Sequence, residues 1–231
     1  MRPGCAAPLV GTLVVPISFA MPNGELGPPA AELLPPHPTL PSLRVAAAGC
    51  RACPLWKRGT QTVFGEGSEH AKAIFVGEEP GDEEDRGGRP FIGPAGKLLD
   101  RVLADAGIER AKIYVTNAVK HFKWIPRGKR RIHERPNRAE IDACRPWLDA
   151  EIALVRPPLI VCLGATAAKS LLGPDFRVTH RRGQLVPSPL ARYVMATVHP
   201  SAVLRAPDDE ARHAAREQLT ADLRGVAALI G

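Results

Sequence analysis

Residues 73–81 read Ala-Ile-Phe-Val-Gly-Glu-Glu-Pro-Gly, an apolar run that ends in a turn rich in glycine and proline. A short apolar run bounded by such a turn is typical of a strand that is buried on both faces. Three further runs, at residues 112–117, 159–164 and 193–198, have the same character. The sequence therefore predicts four buried strands.

Patterns of helical periodicity separate these strands. We predict helices at residues 96–106, 137–155, 165–172 and 209–230. Alternation of strands and helices predicts an α/β fold, a three-layer α/β/α sandwich around a central four-stranded parallel sheet.

The ends of the predicted strands define where a ligand would bind. In open parallel sheets, ligands bind beyond the carboxyl ends of the strands. Those ends lead into residues 77–81, Asn117, Gly164 and residues 199–201. Polar and glycine-rich residues are therefore expected to meet at one edge of the sheet.

Two of these strand ends carry groups that could take part in catalysis. The turn at 77–85 is acidic, and is either a surface loop or the wall of a site. An acidic wall would repel a phosphate but would accept a base or a cationic transition state. His199 is followed by Pro200 and, further on, by Arg205, which could meet a phosphate. A histidine in this position is either a capping residue or a functional one.

A strongly basic segment lies between the second and third predicted strands. Its charged side chains are Lys120, Lys123, Arg127, Lys129, Arg130, Arg131, Arg135 and Arg138, and Glu134 is its only acid. Phe122, Trp124 and His133 are interspersed among them. A long basic segment with aromatic side chains at a ligand-binding edge is typical of a nucleic-acid groove, although a solvated loop has the same composition.

Four of the five cysteines lie beyond the proline-rich start of the chain, in which Cys5 is found. They are Cys50, Cys53, Cys144 and Cys162. In a chain that resembles a cytosolic protein, four such thiols indicate a metal site before they indicate disulfides. Zinc and an iron–sulfur cluster both bind thiolates tetrahedrally, so spacing alone leaves both open.

The overall composition limits the remaining possibilities. The chain has 231 residues and a formal net charge of +7, which suits one domain with a polyanionic partner. No segment is long and apolar enough to cross a membrane. Prolines are dense between Pro3 and Pro41. We therefore predict a disordered extension over residues 1–42 and a domain over residues 43–231, with Met21 as an alternative start and a secretory signal as a lesser alternative.

Several motifs in order resemble those of the family 4 uracil-DNA glycosylases. They are Cys50-x-x-Cys53, residues 77–81, Arg89-Pro90-Phe91-Ile92-Gly93, Thr116-Asn117-Ala118-Val119-Lys120, Cys144, Cys162 and His199-Pro200-Ser201. The resemblance covers nearly all of residues 50–224. It implies a [4Fe–4S] cluster held by Cys50, Cys53, Cys144 and Cys162, and uracil-containing DNA, single-stranded or double-stranded, as the partner. We also expect a monomer in the cytoplasm of a bacterium, associated with the nucleoid.

The stretch Lys129-Arg130-Arg131-Ile132-His133 resembles the signature loop of the UdgX type. In that type, the loop histidine attacks the sugar and the protein stays attached to DNA. One departure is Glu79, where UdgX proteins often have glutamine.

The resemblance also implies individual roles. His133, Glu78 and His199 would be catalytic, with His133 as the nucleophile. Uracil would be bound by Glu79, Asp82, Glu84, Phe91 and Asn117. DNA would be bound by Lys129, Arg130, Arg131, Ser201 and Arg205.

Three alternatives differ from this interpretation. A conventional family 4 glycosylase would turn over many times. A zinc-stabilised DNA-binding protein would have the basic segment and the cysteines but would leave Glu78, Asn117 and His199 unexplained. A dinucleotide-binding oxidoreductase fits the fold but needs a G-x-G-x-x-G motif after a strand, which this chain lacks.

Overall fold

The central sheet has five strands in the order β2–β1–β5–β7–β6 in a computed structural model, which describes residues 25–231. The strands are β1 (Ala73–Gly77), β2 (Ile113–Asn117), β5 (Leu159–Leu163), β6 (Leu185–Ser188) and β7 (Ala191–Thr197). The first three and β7 pair in parallel, whereas β6 pairs antiparallel with β7. A separate antiparallel hairpin consists of β3 (Trp124–Arg127) and β4 (Arg130–His133).

Helices cover both faces of the sheet, which confirms the predicted three-layer fold. They are α1 (Leu40–Ala48), α2 (Asp82–Gly87), α3 (Pro94–Asp105), α4 (Arg138–Val155), α5 (Ala165–Leu172), α6 (Val178–Arg181), α7 (Pro200–Leu204) and α8 (Asp209–Ile230). Successive residues of a strand point to opposite faces. Phe75 and Val161 accordingly pack with α3 and α8, whereas Val76 and Cys162 pack with α4 and α5.

The four predicted parallel strands are all present, and the fifth strand is an addition. Strand β6 contains Pro187 and lies at the edge of the sheet, next to β7 alone. Its residues alternate between exposed and half-buried, so its apolar signal is weaker than that of a central strand. The hairpin β3–β4 is also an addition, in a segment that the sequence indicated only as basic.

Packed structure begins before the boundary at Leu43 that the sequence suggests. Residues Ala30–Leu33 form a 3₁₀ turn, and Ala30 is buried in the same apolar cluster as Leu43 and Trp147. Thr39 caps α1 with a capping box, so the helix begins at Leu40. The part of the disorder prediction that concerns residues 1–24, together with Cys5 and the alternative start at Met21, lies outside the described residues.

None of the helices formed by residues 25–231 is both long enough and apolar enough to cross a membrane.

Candidate active site

The carboxyl ends of β1 and β2 meet in register at Gly77 and Asn117. A side chain at Gly77 could not be accommodated, because its Cβ would lie 2.3 Å from Asn117 Oδ1 and 2.8 Å from the Phe91 ring. The buried Asn117 amide and the Phe91 ring thus converge over the bare backbone of Gly77. This arrangement leaves a polar edge beside an aromatic face at the end of the sheet, as the sequence predicted.

Phe91 is held in this position by a tight turn before α3. Its φ of 57° is unusual for a residue that is not glycine. A Cβ on Gly96 would lie 1.7 Å from the Phe91 carbonyl oxygen, so the turn requires glycine there. The buried Glu84 carboxylate accepts the Gly93 N–H at 2.9 Å and fixes the same turn. Glu84 thus holds the loop that carries Phe91, and its expected contact with uracil stays a prediction.

His199 lies beyond β7 and faces this pocket. Its ring centroid is 6.3 Å from that of Phe91. Its Nδ1 accepts the Ser201 backbone N–H at 3.1 Å, so the neutral ring carries its proton on Nε2. Burial lowers the pKa of His199 to about 4, and the positive charge of Arg205 acts in the same direction. His199 is therefore a neutral hydrogen-bond donor at neutral pH.

The β3–β4 hairpin brings His133 to the end of β1. Trp124 pairs with His133 and Ile125 with Ile132, so that alternate residues face the domain and the solvent. His133 Nε2 lies 3.1 Å from Glu79 Oε1 and 3.4 Å from Glu78 Oε1. Partial burial lowers the pKa of His133, and the charges of Arg205 and Arg135 lower it further, while Glu78 opposes them.

The two adjacent glutamates have different surroundings. Glu78 is half-buried and accepts a hydrogen bond from the Thr166 hydroxyl. Glu79 is buried; its Oε1 accepts the Lys123 N–H at 3.3 Å, and its Oε2 has no hydrogen-bond partner among the described residues. Burial and the nearby Glu78 raise the pKa of Glu79 to about 10. Thr166, at the start of α5, was not identified from the sequence, because a threonine after a buried strand is an ordinary helix-start residue.

Arg131 fastens the hairpin to α2. Its guanidinium donates to Asp82 and, at 2.6 Å, to the fully buried carboxylate of Asp85. It also lies over the Phe122 ring, which packs beside His133. Arg131 and Asp82 thus bind each other, and Asp82 also pairs with Arg86, whereas the expected contacts of Arg131 with DNA and of Asp82 with uracil stay predictions.

Three of the expected DNA-binding side chains face solvent. Lys129 and Arg130 are exposed at the end of the hairpin, and Arg205 is exposed beyond α7. The charge of Arg205 lowers the pKa of both His133 and His199, so it lies near both rings. Ser201 differs, because its hydroxyl lies 2.7 Å from His199 Nδ1 and thus orients that ring.

Three of the four cysteines lie together. Cys50, Cys53 and Cys144 belong to one buried cluster beside Trp147 and Leu43, whereas Cys162 lies in the core between the sheet and α5. Cys50 and Cys53 raise the pKa of the Cys144 thiol through their charges, after the larger effect of burial, whereas Cys162 is affected by burial alone. The structure thus groups three of the four predicted thiols, whereas Cys162 lies in a different part of the core, and ligation of a cluster by all four stays a prediction.

Two N–H groups point to the sulfurs of this thiol group. The Lys120 backbone N–H donates to Cys144 Sγ at 3.2 Å, and the Trp147 indole N–H donates to Cys50 Sγ at 3.4 Å. Within residues 25–231, no three ligand-type side chains are arranged around the position of a single metal ion.

The fold and this arrangement of side chains define the chain as a member of the uracil DNA glycosylase superfamily, whose family model matches residues 64–224. More narrowly, the chain belongs to the type-4 uracil-DNA glycosylases. It is 39% identical over 171 residues to the type-4 enzyme of Thermotoga maritima, covering 74% of this chain and 85% of the relative. It is 38% identical over 181 residues to that of Sulfurisphaera tokodaii, covering 74% and 78%. It is 36% identical over 191 residues to that of Archaeoglobus fulgidus, covering 79% and 88%.

Proposed function

We propose that this protein removes uracil from DNA and then stays covalently attached to the abasic sugar through His133. The type-4 relatives support the glycosylase reaction on uracil in DNA. The observation that carries the covalent step is the position of His133, whose Nε2 lies within 3.4 Å of carboxyl oxygens of both Glu78 and Glu79 at the mouth of the pocket. A neutral imidazole in that position is a nucleophile.

Recognition of uracil rests on the pocket over Gly77. The enzyme first extrudes the base, which costs a few kcal/mol. Phe91 offers a face on which the base stacks, and the Asn117 amide offers one donor and one acceptor to its edge. Cytosine presents the opposite pattern and leaves the buried amide unpaired, which discriminates strongly.

Departure of uracil transfers an electron pair from the sugar to the base. When the bond between C1′ and uracil N1 lengthens, the base becomes anionic and the sugar cationic. The Nε2–H of His199 stabilises the anion by donating a hydrogen bond from a site that excludes water. The Glu78 carboxylate, held by Thr166, stabilises the positive charge on the sugar.

His133 then completes the reaction. A lone pair of its imidazole forms a bond to C1′, and the remaining N–H proton of the ring passes to Glu78 or to water. The product is a neutral imidazole joined to the sugar through nitrogen. Since imidazole is a poor leaving group, the enzyme acts once. In the conventional alternative, Glu78 would position water and the enzyme would act repeatedly.

The thiols of Cys50, Cys53 and Cys144 fit a [4Fe–4S] cluster. N–H groups that point to sulfur, as those of Lys120 and Trp147 do, stabilise thiolates bound to iron. When bound, the cluster would fix α4 and the segment after β2 in place. His121 is buried and next to Lys120, and a neutral imidazole is a chemically suitable fourth ligand.

We further propose a monomer that takes single-stranded or duplex DNA. All the side chains of the pocket come from one chain. The exposed Lys129, Arg130 and Arg205 supply positive charge beside it.

The test is a denaturing gel of the full-length protein with a labelled oligonucleotide that contains one uracil. We expect a band with the mass of protein plus DNA, absent with His133→Ser and absent with thymine in place of uracil. His70→Ser is the matched control, because the His70 side chain is highly exposed and, among the described residues, its ring pairs only with the exposed Glu69. Alkali-labile DNA in excess over protein, without this band, would instead establish the conventional glycosylase.

A further inference from the structure

Two carboxyl groups surround one imidazole nitrogen in this site. The distances from His133 Nε2 are 3.1 Å to Glu79 and 3.4 Å to Glu78. The Glu79 side chain has no exposure to solvent, whereas that of Glu78 is 18% exposed. The two glutamates thus share a partner but differ in access to water.

Within residues 25–231, Lys123 and Arg131 do not pair directly with the Glu79 carboxyl group, because each is engaged with other carboxylates. The ammonium of Lys123 is 3.2 Å from Glu140, which makes an ion pair of its own. The guanidinium of Arg131 binds Asp82 and Asp85. After burial, the negative charges of Glu78 and Glu140 raise the pKa of Glu79, whereas the Lys123 backbone N–H, which donates to it, and the Lys123 charge lower that pKa.

One proton is therefore shared by Glu79 and His133, and its position decides the charge of both. On His133, the proton would create an imidazolium near Arg205 and Arg135 and leave a carboxylate without water. On Glu79, the proton would make both groups neutral, so that the buried Oε2, which has no hydrogen-bond partner among the described residues, would carry no negative charge. Desolvation of the carboxyl and repulsion by the arginines act in the same direction.

We propose that Glu79 is a neutral carboxylic acid at neutral pH, a positioning residue that holds the His133 ring without charging it. Glu78 is then the only carboxylate that faces the ring and the sugar. The consequence for reactivity rests on the proposed covalent function, because an ionised Glu79 would keep His133 as an imidazolium without a free lone pair. The protonation state itself does not depend on that function.

The test compares the same substitution at neighbouring positions, Glu78→Gln and Glu79→Gln, in the full-length protein without DNA. The pKa of His133 is measured by nuclear magnetic resonance, with its signal assigned by loss in His133→Ser. Removal of a charged neighbour lowers a histidine pKa by about 1 or more. We expect that decrease with Glu78→Gln and a much smaller change with Glu79→Gln.

A second measurement detects the proton on Glu79 directly. In infrared spectra, a protonated carboxylic acid has a carbonyl band that shifts in D₂O. We expect this band in the wild-type protein and in Glu78→Gln, and its loss in Glu79→Gln. A larger decrease in the pKa of His133 with Glu79→Gln than with Glu78→Gln, or no such band in the wild-type protein, would overturn the proposal. Failure to form the DNA adduct would count against the proposed function alone.

Discussion

At the scale of single residues, burial determines which groups are charged. His199 and His133 are kept neutral by desolvation and by nearby arginines, with Glu78 opposing the effect at His133. Burial also acts against charge on Glu79. On the roles that we propose, the site combines a neutral donor at His199, a neutral nucleophile at His133 and one carboxylate at Glu78. Glutamine at position 79 would have the same shape as a neutral glutamic acid, so Glu79 is compatible with the resemblance to the UdgX type.

The pH dependence of the attack follows from these shifts. Because the pKa of His133 is lowered from 6.5, its ring is neutral at pH 7 and loses its lone pair only as pH falls through that lower value. We expect the single-turnover rate of adduct formation to be constant around neutral pH and to fall with a midpoint below 6.5. Rates measured from about pH 4 to about pH 9 check this. A midpoint above 6.5 would mean that Glu78 dominates.

At the scale of elements, Arg131 joins the hairpin to α2, in addition to the two hydrogen bonds between Trp124 and Arg58. Replacing Arg131 with glutamine leaves the buried Asp85 without its cation. Loss of one partner of a buried ion pair costs roughly 3–5 kcal/mol. We expect a decrease in the free energy of unfolding near the lower end of that range, because Thr60 still donates to Asp85. Adduct formation should fall by at least ~10-fold, since His133 is displaced from Glu78. Urea unfolding and single-turnover rates measure the two effects.

Arg130→Gln is the matched control for this variant. Arg130 is exposed and neighbours Arg131 in the same strand. We expect unchanged stability, weaker binding of DNA, and a salt dependence of affinity reduced by about one phosphate contact. Equal effects of the two substitutions on the free energy of unfolding would contradict the role of Arg131 in fastening the hairpin to α2.

The turn that carries Phe91 has an equally specific requirement. Gly96→Ala places a methyl group against the Phe91 carbonyl oxygen, so the turn must open. We expect a lower melting temperature and a selective loss of uracil binding, measured in single-turnover experiments as a larger increase in the DNA concentration that gives half the maximal rate than decrease in the maximal rate of base release. Gly225→Ala in α8 is the control, because nothing lies within 4 Å of its added Cβ. Alanine should stabilise that helix by up to about 1 kcal/mol.

The elements differ in how far the sequence predicted them. Strands β1, β2, β5 and β7 have continuous apolar runs, so their places along the chain and the meeting of their carboxyl ends at one edge of the sheet could be predicted. The hairpin could not be predicted from the sequence. Pro126 and Gly128 interrupt its pattern, and the face that packs against the domain has charged side chains in place of apolar ones. The charge of Arg131 on that face is paired with Asp82 and Asp85 on α2. These residues are distant in the sequence, so no local pattern indicates the pairing.

At the scale of the whole molecule, Lys120 connects the thiol group to the uracil pocket. Its backbone N–H donates to Cys144, and its ammonium donates to the Asn117 carbonyl at 2.8 Å. The same ammonium is paired with the buried Glu151 at 2.6 Å. Movement of the thiols would therefore reach Asn117 through one side chain, which gives the expected cluster a structural effect on recognition.

The separation of Cys162 from the other thiols predicts which cysteines hold iron. We expect Cys50→Ala, Cys53→Ala and Cys144→Ala each to lose iron and the brown colour of the purified protein. Cys162→Ala should keep both, because its thiol packs in the apolar cluster between the sheet and α5, apart from the cluster that contains the other three. Iron, zinc and sulfide content, together with visible absorption, measure this directly.

The same four variants also separate structural loss from loss of the metal. Cys162→Ala removes a fully buried side chain and should cost about 1 kcal/mol of stability through packing alone. The other three should also weaken uracil binding, because Lys120 loses its sulfur acceptor or its support. Loss of iron from Cys162→Ala would show that Cys162 is a ligand of the cluster. Zinc without sulfide in the wild-type protein would favour the zinc-stabilised DNA-binding protein. If Cys144→Ala kept its iron, Cys144, whose sulfur accepts the Lys120 N–H, would not be a ligand of the cluster.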